Sequence, residues 1–247
     1  MTTHRTHLPP RRLLGVWAHP DDEAYLSAGL MGRVTDTGGH VTCVTATLGE
    51  RGFADDDRRS LAERSGLRAG ELSAALAAVG VRDSRRLSLP DGECVRAPFG
   101  ALVTTIASII DQVRPDTIVT FGPDGITGHD DHIVLGHATT LASREVGIGR
   151  LLYATMTDHH HARFADLHDQ LGIFLGPPPD GTPEADLALA VDLGGPELDR
   201  KRRALAAHAS QTSEPARVMT EPVYRQWTRR ETFRSPHAVD FATACAA

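Results

Sequence analysis

Through residue 156 the chain alternates apolar runs of strand length with longer stretches of helical period. Residues 12–18 hold the unbroken run Leu13-Leu14-Gly15-Val16-Trp17-Ala18, which reads as a buried strand. Residues 24–37 place Leu26, Leu30 and Val34 on one helical face, and Gly38-Gly39 stops the pattern. A β-branched second strand is predicted over 40–48, and a long amphipathic helix over 61–79, ended by Gly80. A third strand over 85–89 leads to a helix over 99–113. Arg114-Pro115 closes that helix, since proline disfavours helical geometry in the residue before it. Residues 117–121 form an almost wholly apolar fourth strand, followed by a helix over 132–145 and a fifth strand over 150–156.

Strands alternating with helices of this length predict an α/β fold: a Rossmann-like, mostly parallel sheet with helices on both faces and strand order 3-2-1-4-5. In that order the ends of the first and fourth strands flank the switch-point crevice. The pattern changes from residue 157, with His159-His160-His161, Gly176-Pro177-Pro178-Pro179 and Gly181-Thr182-Pro183 as loop signals. Residues 186–193 alternate as a strand would, and 196–210 form a charged helix. We therefore expect an N-terminal arm over 1–11, a catalytic core over 12–156, and a C-terminal cap over 157–247 packed on the same domain.

Composition narrows the class. A chain of 247 residues is enough for one large domain with an ample core. The net charge of -6, with signs mixed throughout, gives no basic footprint for nucleic acid. No stretch approaches the roughly 20 apolar residues that span a bilayer, so no membrane partner is expected. Three cysteines without paired metal-ligand spacing fit a reducing, cytoplasmic setting.

Two polar clusters stand at the predicted strand ends. The first strand stops at His19-Pro20-Asp21-Asp22-Glu23; the fourth runs into Gly125-Ile126-Thr127-Gly128-His129-Asp130-Asp131-His132. His19 and Asp22 are a nitrogen and an oxygen ligand across a proline-stiffened turn, suited to zinc or another divalent transition ion such as iron or cobalt. A hydrolytic metal needs three protein ligands and one open position, which His19, Asp22 and His132 supply once topology brings the clusters together. Water bound there acidifies to a pKa of about 7 in favourable zinc sites. Asp21 is the natural base. A protonated His129 can stabilise the oxyanion formed by attack on an amide, with Asp131 holding that imidazole. Glu23 either orients the ligands or caps the next helix.

These two motifs together resemble the N-acetylglucosaminyl-phosphatidylinositol de-N-acetylase superfamily, often called LmbE-like. Arg68-Ala69-Gly70-Glu71-Leu72 is similar to that family's arginine-bearing helix, Leu89-Pro90-Asp91-Gly92 to its following strand tip, and Lys201 through His208 to Gln211 to its late helix signature. The resemblance implies a zinc-dependent hydrolase with a Rossmann-like sheet, acting on a small-molecule amino-sugar conjugate and removing its N-acetyl group. It places the metal on His19, Asp22 and His132, the base on Asp21 and the oxyanion histidine on His129 with Asp131. It further implies substrate contacts at Arg68, Asp91 and His208. Where the mycothiol-pathway members carry a tyrosine two residues before the HxDH histidine, this chain has Thr127.

Two other readings compete. One is an amidase acting on a different amide, such as a mycothiol-type thiol conjugate. The other is a non-catalytic sugar or nucleotide binder on the same fold; its expected GxGxxG loop after the first strand is absent.

Overall fold

A computed structural model of the chain describes residues 9–246; residues 1–8 of the expected arm lie outside them. Among the described residues one sheet is built from β1 (Arg12–Trp17), β2 (His40–Thr45), β3 (Asp83–Arg86), β4 (Thr117–Phe121), β5 (Leu151–Thr155), β6 (Leu187–Asp192) and β7 (Arg230–Arg234). Its order is β3-β2-β1-β4-β5-β7-β6. The first five strands are parallel, in the order the alternation predicts, and β7 and β6 extend the sheet antiparallel beyond β5. β4 is buried along its whole length and β1 from Leu13 onward, which is why both read as continuous apolar runs.

The helices are α1 (Asp22–Leu26), α2 (Ala28–Asp36), α3 (Leu61–Ala78), α4 (Phe99–Val113), α5 (Asp130–Val146), α6 (Asp158–Arg163), α7 (Ala165–Leu171), α8 (Gly195–Ala207), α9 (Ala209–Val218), α10 (Glu221–Thr228) and α11 (Ala238–Ala246). Right-handed crossovers carry α2 and α3 over one face of the sheet and α4 and α5 over the other. In keeping with this, α8 packs on α2 and α3, whereas α4 and α11 pack on α5. A capping box starts α3: the Ser60 hydroxyl accepts from the Glu63 N–H while the Glu63 carboxylate accepts from the Ser60 N–H at 2.7 Å.

Three expectations about local structure are corrected. The helix expected over 24–37 is two helices broken at Ser27, whose φ of -148° leaves the helical region. The break frees the N–H groups of Gly29 and Leu30, and the buried Glu231 carboxylate from β7 caps them at 2.7 and 2.9 Å. The third strand begins at Asp83 rather than Arg85, although ladder-like bonds continue through Leu87 and Leu89 to the carbonyls of Thr45 and Ala46. The triple histidine lies in α6 rather than in a loop, because the Thr157 hydroxyl caps the His160 N–H at 3.2 Å.

Candidate metal centre and its cavity

β1 and β4 end side by side, and the loops leaving them meet over the crevice between them. His19 follows β1 directly. His132 lies in the first turn of α5, its ring stacked on Phe121 at the tip of β4 with centroids 4.1 Å apart. The His19 Nδ1 atom is 3.1 Å from His132 Nε2 and 3.6 Å from Asp22 Oδ2; the other Asp22 oxygen is 3.5 Å from His132 Nε2.

The remaining ring nitrogens show what the facing ones carry. His132 Nδ1 lies 3.0 Å from the Gly125 carbonyl, which can only accept, so the ring proton sits there and Nε2 presents a lone pair. His19 Nε2 lies 3.1 Å from Asp91 and 3.3 Å from Asp131, which fixes its proton on that side and turns a lone pair of Nδ1 toward His132. Two lone pairs at hydrogen-bond distance repel unless a cation lies between them. Bonds of about 2.0–2.2 Å to a tetrahedral ion put neighbouring donors about 3.3–3.6 Å apart, close to the three separations found here. The donor set therefore fits a divalent ion.

Burial disfavours a charged His19, but hydrogen bonds to Asp131 and Asp91 and the charge of Asp22 outweigh it and push its pKa up to about 10. Burial and the His19 charge hold His132 well below the ordinary histidine value. The cluster is built around one positive charge.

Among the described residues, His19, His129 and His132 also bring ligand-capable atoms within 4.8 Å of one another, as do His19, Asp91 and Asp131. His129 Nδ1 accepts from the Asp131 backbone N–H at 3.1 Å, so its neutral ring carries the proton on Nε2 and serves as a donor. In the second group only one histidine nitrogen faces two carboxylates, and that nitrogen holds a proton. Asp22 is thus the better third ligand.

Asp21 occupies a strained backbone position, with φ at 111°. Its N–H donates to Glu23 Oε2 at 2.9 Å, and its carboxylate accepts from Arg68 Nη2 at 3.2 Å. Burial raises its pKa, Arg68 pulls it back, and the carboxylates of Asp22 and Glu23 add to the rise, leaving it at about 7. Glu23 tethers the Asp21 N–H at the helix start, the second of the two roles the sequence left open, and holds His208 Nε2 at 2.6 Å.

The structure places four of the expected residues in more detail, and Arg68 and Asp91 both line the cavity described below. Arg68 is buried and directs its guanidinium at the protein, donating to the carbonyls of Gly49 and Pro20 as well as to Asp21. Gly49 is required for this approach: at φ 61°, a Cβ there would lie 1.9 Å from Arg68 Nη1. Asp91 spends one oxygen on His19 and the other on the Arg51 N–H at 2.8 Å. Asp131 turns its carboxylate away from His129 toward His19 and the N–H groups of Gly92 and Cys94, at 2.8 and 3.0 Å, so only its backbone orients His129. His208 is fully buried behind Glu23, and neither residue lines the cavity.

The cluster forms the floor of a cavity of about 700 Å³, the size that holds drug-sized ligands. Residues the sequence did not single out complete it: Tyr25 from α1, Ile173 and Leu175 after α7, and Trp227 from α10; Leu26, expected on the inner face of its helix, joins them. The strand β7 gave no signal in the sequence, because Arg230-Glu231-Thr232-Phe233-Arg234 lacks a strand's apolar alternation.

A Rossmann-like α/β protein with a histidine–carboxylate cluster at its switch point is the class that fold and site define. The chain belongs to the family described as PIG-L: GlcNAc-PI de-N-acetylase, whose model matches residues 14–143. It is 33% identical over 243 residues to the 1D-myo-inositol 2-acetamido-2-deoxy-alpha-D-glucopyranoside deacetylase of Rhodococcus opacus strain B4, covering 82% of each chain. In fold it is similar to the N,N'-diacetylchitobiose deacetylase of Pyrococcus horikoshii, with a TM-score of 0.62 and 20% identity over 93% of this chain and 86% of that one. It is also similar to the zinc-inhibited form of teicoplanin deacetylase Orf2, with a TM-score of 0.60 and 18% identity over 90% of this chain and 97% of that one. No helix among the described residues is long and apolar enough to cross a membrane.

Proposed function

We propose that this protein is a zinc-dependent hydrolase that removes the N-acetyl group from an N-acetylglucosaminyl conjugate. The observation that carries the reading is the convergence of His19 Nδ1, His132 Nε2 and Asp22 within 3.1–3.6 Å of one another on the floor of the cavity that Asp21 and His129 also line. Membership of a de-N-acetylase family and the activity named for its relatives support the same reaction.

His19, Asp22 and His132 would hold the ion, which when bound would supply Lewis-acid polarisation of the amide carbonyl and acidify the attacking water. Asp21 accepts a proton from the attacking water and returns it to the amine that leaves. A carboxyl near pH 7 is matched to both halves of that task. Arg68 fixes the carboxylate at the strained turn. His129 donates from Nε2 to the oxygen that gains charge, and needs no extra proton to do so, because the Asp131 N–H already occupies Nδ1. Asp91 and Asp131 keep His19 in the tautomer that offers Nδ1.

The test is free-amine release from a panel of N-acetylglucosaminides by protein stripped of metal and then reloaded with zinc, beside Asp21→Ala. Release should require the metal and fall by about 10²–10⁴-fold in the variant. Unchanged turnover by Asp21→Ala, or by the stripped protein, would refute the assignment.

A further inference from the structure

Asp21 is a non-glycine residue at φ 111° and ψ -31°, a conformation that persists only where neighbouring groups over-determine it. Its carbonyl accepts from the N–H groups of Ala24 and Tyr25, both at 2.9 Å, as the first bonds of α1. Its two other polar ends are held by side chains. Glu23 Oε2 accepts from the Asp21 N–H at 2.9 Å, and Arg68 Nη2 donates to the Asp21 carboxylate at 3.2 Å.

Each of those side chains is held in turn, and both holds end at one place. Glu23 is buried, and its second oxygen, Oε1, accepts from His208 Nε2 at 2.6 Å. The His208 Nδ1 atom is buried without a partner among the described residues, so the imidazole spends its polar contact on Glu23. Arg68 stands on α3 one turn before Glu71 and on the same face. The Glu71 carboxylate accepts from the Ser210 N–H at 2.8 Å and from the Ser210 hydroxyl at 2.6 Å. His208 is the residue at which α8 ends and α9 begins, and Ser210 follows it by two. Two chains of bonds therefore leave Asp21, one through Glu23 and one through Arg68 and α3, and they close on each other at the start of α9. A buried pair that only fastened two elements could be replaced by an apolar one at little cost. Here one oxygen of the buried carboxylate goes to His208 and the other to the strained N–H, which ties the pair to the turn.

We propose that His208 and Ser210 are positioning residues for Asp21: the start of α9 holds the strained turn, through Glu23 on one side and through Glu71 and Arg68 on the other, and so keeps the Asp21 carboxylate in place on the floor of the cavity. What Asp21 does there rests on the deacetylase reading; how it is held rests on the hydrogen bonds alone. Neither His208 nor Ser210 lines the cavity, so the loss of either is read in the chemical step rather than in the binding of substrate.

The experiment compares wild type with His208→Leu, His208→Gln and Ser210→Ala. It reads kcat and KM on the N-acetylglucosaminide that the zinc-loaded wild type turns over fastest, zinc affinity by chelator competition, and backbone amide hydrogen exchange. His208→Leu should lower kcat about 10–100-fold while KM and zinc affinity stay within about threefold, because a misplaced base costs the chemical step and not binding. His208→Gln, whose carboxamide N–H can stand in for Nε2–H, should recover most of that loss. Ser210→Ala removes one of the two donors to Glu71 and should lower kcat about three- to tenfold; its half-buried position keeps the test decisive should His208→Leu fail to fold. In an Asp21→Ala background, His208→Leu should change the residual rate by less than about twofold, since a residue acting through Asp21 has nothing left to act on. The Asp21 amide should exchange at least about tenfold faster in His208→Leu, with the β4 amides unchanged. Wild-type kcat in both His208→Leu and Ser210→Ala would overturn the proposal. So would an equal loss from His208→Leu with and without Asp21, or exchange that rises as much in β4 as at Asp21. Absence of amine release by wild type would sink the deacetylase reading, whereas faster exchange confined to the Asp21 turn would still support the assignment of His208.

Discussion

Glu231 from β7 is the contact by which the antiparallel end of the sheet holds the motif helices, and its removal has a calculable cost. Its carboxylate is 2% exposed, accepts from the N–H groups of Gly29 and Leu30 at 2.7 and 2.9 Å, and receives Lys201 Nζ at 2.8 Å. Lys201, 1% exposed, donates its other bond to the Tyr25 carbonyl at 2.6 Å. Glu231→Ala strands a buried ammonium and opens two helix N–H groups, so the expected cost is about 3–5 kcal/mol. For a chain of this size that corresponds to a fall in Tm of roughly 6–20 °C. Lys201→Met should cost less, about 1–3 kcal/mol, because the carboxylate keeps two N–H donors and the positive end of the α2 dipole. The double variant Lys201→Met/Glu231→Ala should fall short of the sum by at least about 1 kcal/mol, since neither change then leaves a lone buried charge. Urea unfolding of the four proteins, analysed by linear extrapolation at equal m, measures all three quantities. A cost under about 1 kcal/mol for Glu231→Ala, or strict additivity in the double variant, would refute this account of the pair.

Other expectations follow from the site and its walls. Asp91→Asn keeps an acceptor for His19 Nε2 but loses its charge, so zinc affinity measured by chelator competition should weaken about 10–100-fold; unchanged affinity would mean that Asp91 does not orient the ligand. Gly49→Ala should displace Arg68 and lower kcat by about a hundredfold while zinc still binds, and a wild-type kcat would show that the contact is slack. Burial, and then the charge of His161, hold the His168 pKa down at about 4 against an ordinary 6.5. Between those values the unfolded chain binds a proton that the folded chain refuses, so stability should fall as pH drops from 6.5 toward 4, with no contribution above that window. Protonation also removes the lone pair that accepts from Trp227, so the indole fluorescence should change over the same range. Burial and the charges of His168 and Lys201 hold the neighbouring His160 down at about 4 as well, so His168→Phe should flatten the fluorescence response and only reduce the stability response; an unchanged fluorescence response in that variant would assign it elsewhere.

Local pattern carried much of this protein. Burial on both faces made β1 and β4 read as apolar runs, and the turn to polar residues at their ends marked where chemistry could stand. Chain order with right-handed crossovers was then sufficient to bring the His19 and His132 loops together, because connection handedness depends on backbone sterics rather than on particular side chains. The partners of each polar atom were not legible in the same way. Asp131 follows His129 by two residues, yet its carboxylate serves His19 from across the crevice; Asp91 reads as a turn residue and is that imidazole's second anchor. His208 lies in a family-like helix, but only tertiary packing placed it behind Glu23. Glu231 sits in a strand without periodicity and caps a helix about two hundred residues earlier in the chain. Periodicity records which face of an element is buried, and the sequence determines that much alone. Which buried donor meets which acceptor depends on the angles at which separate elements pack, and the tertiary structure decided those contacts, along with the apolar part of the cavity lining.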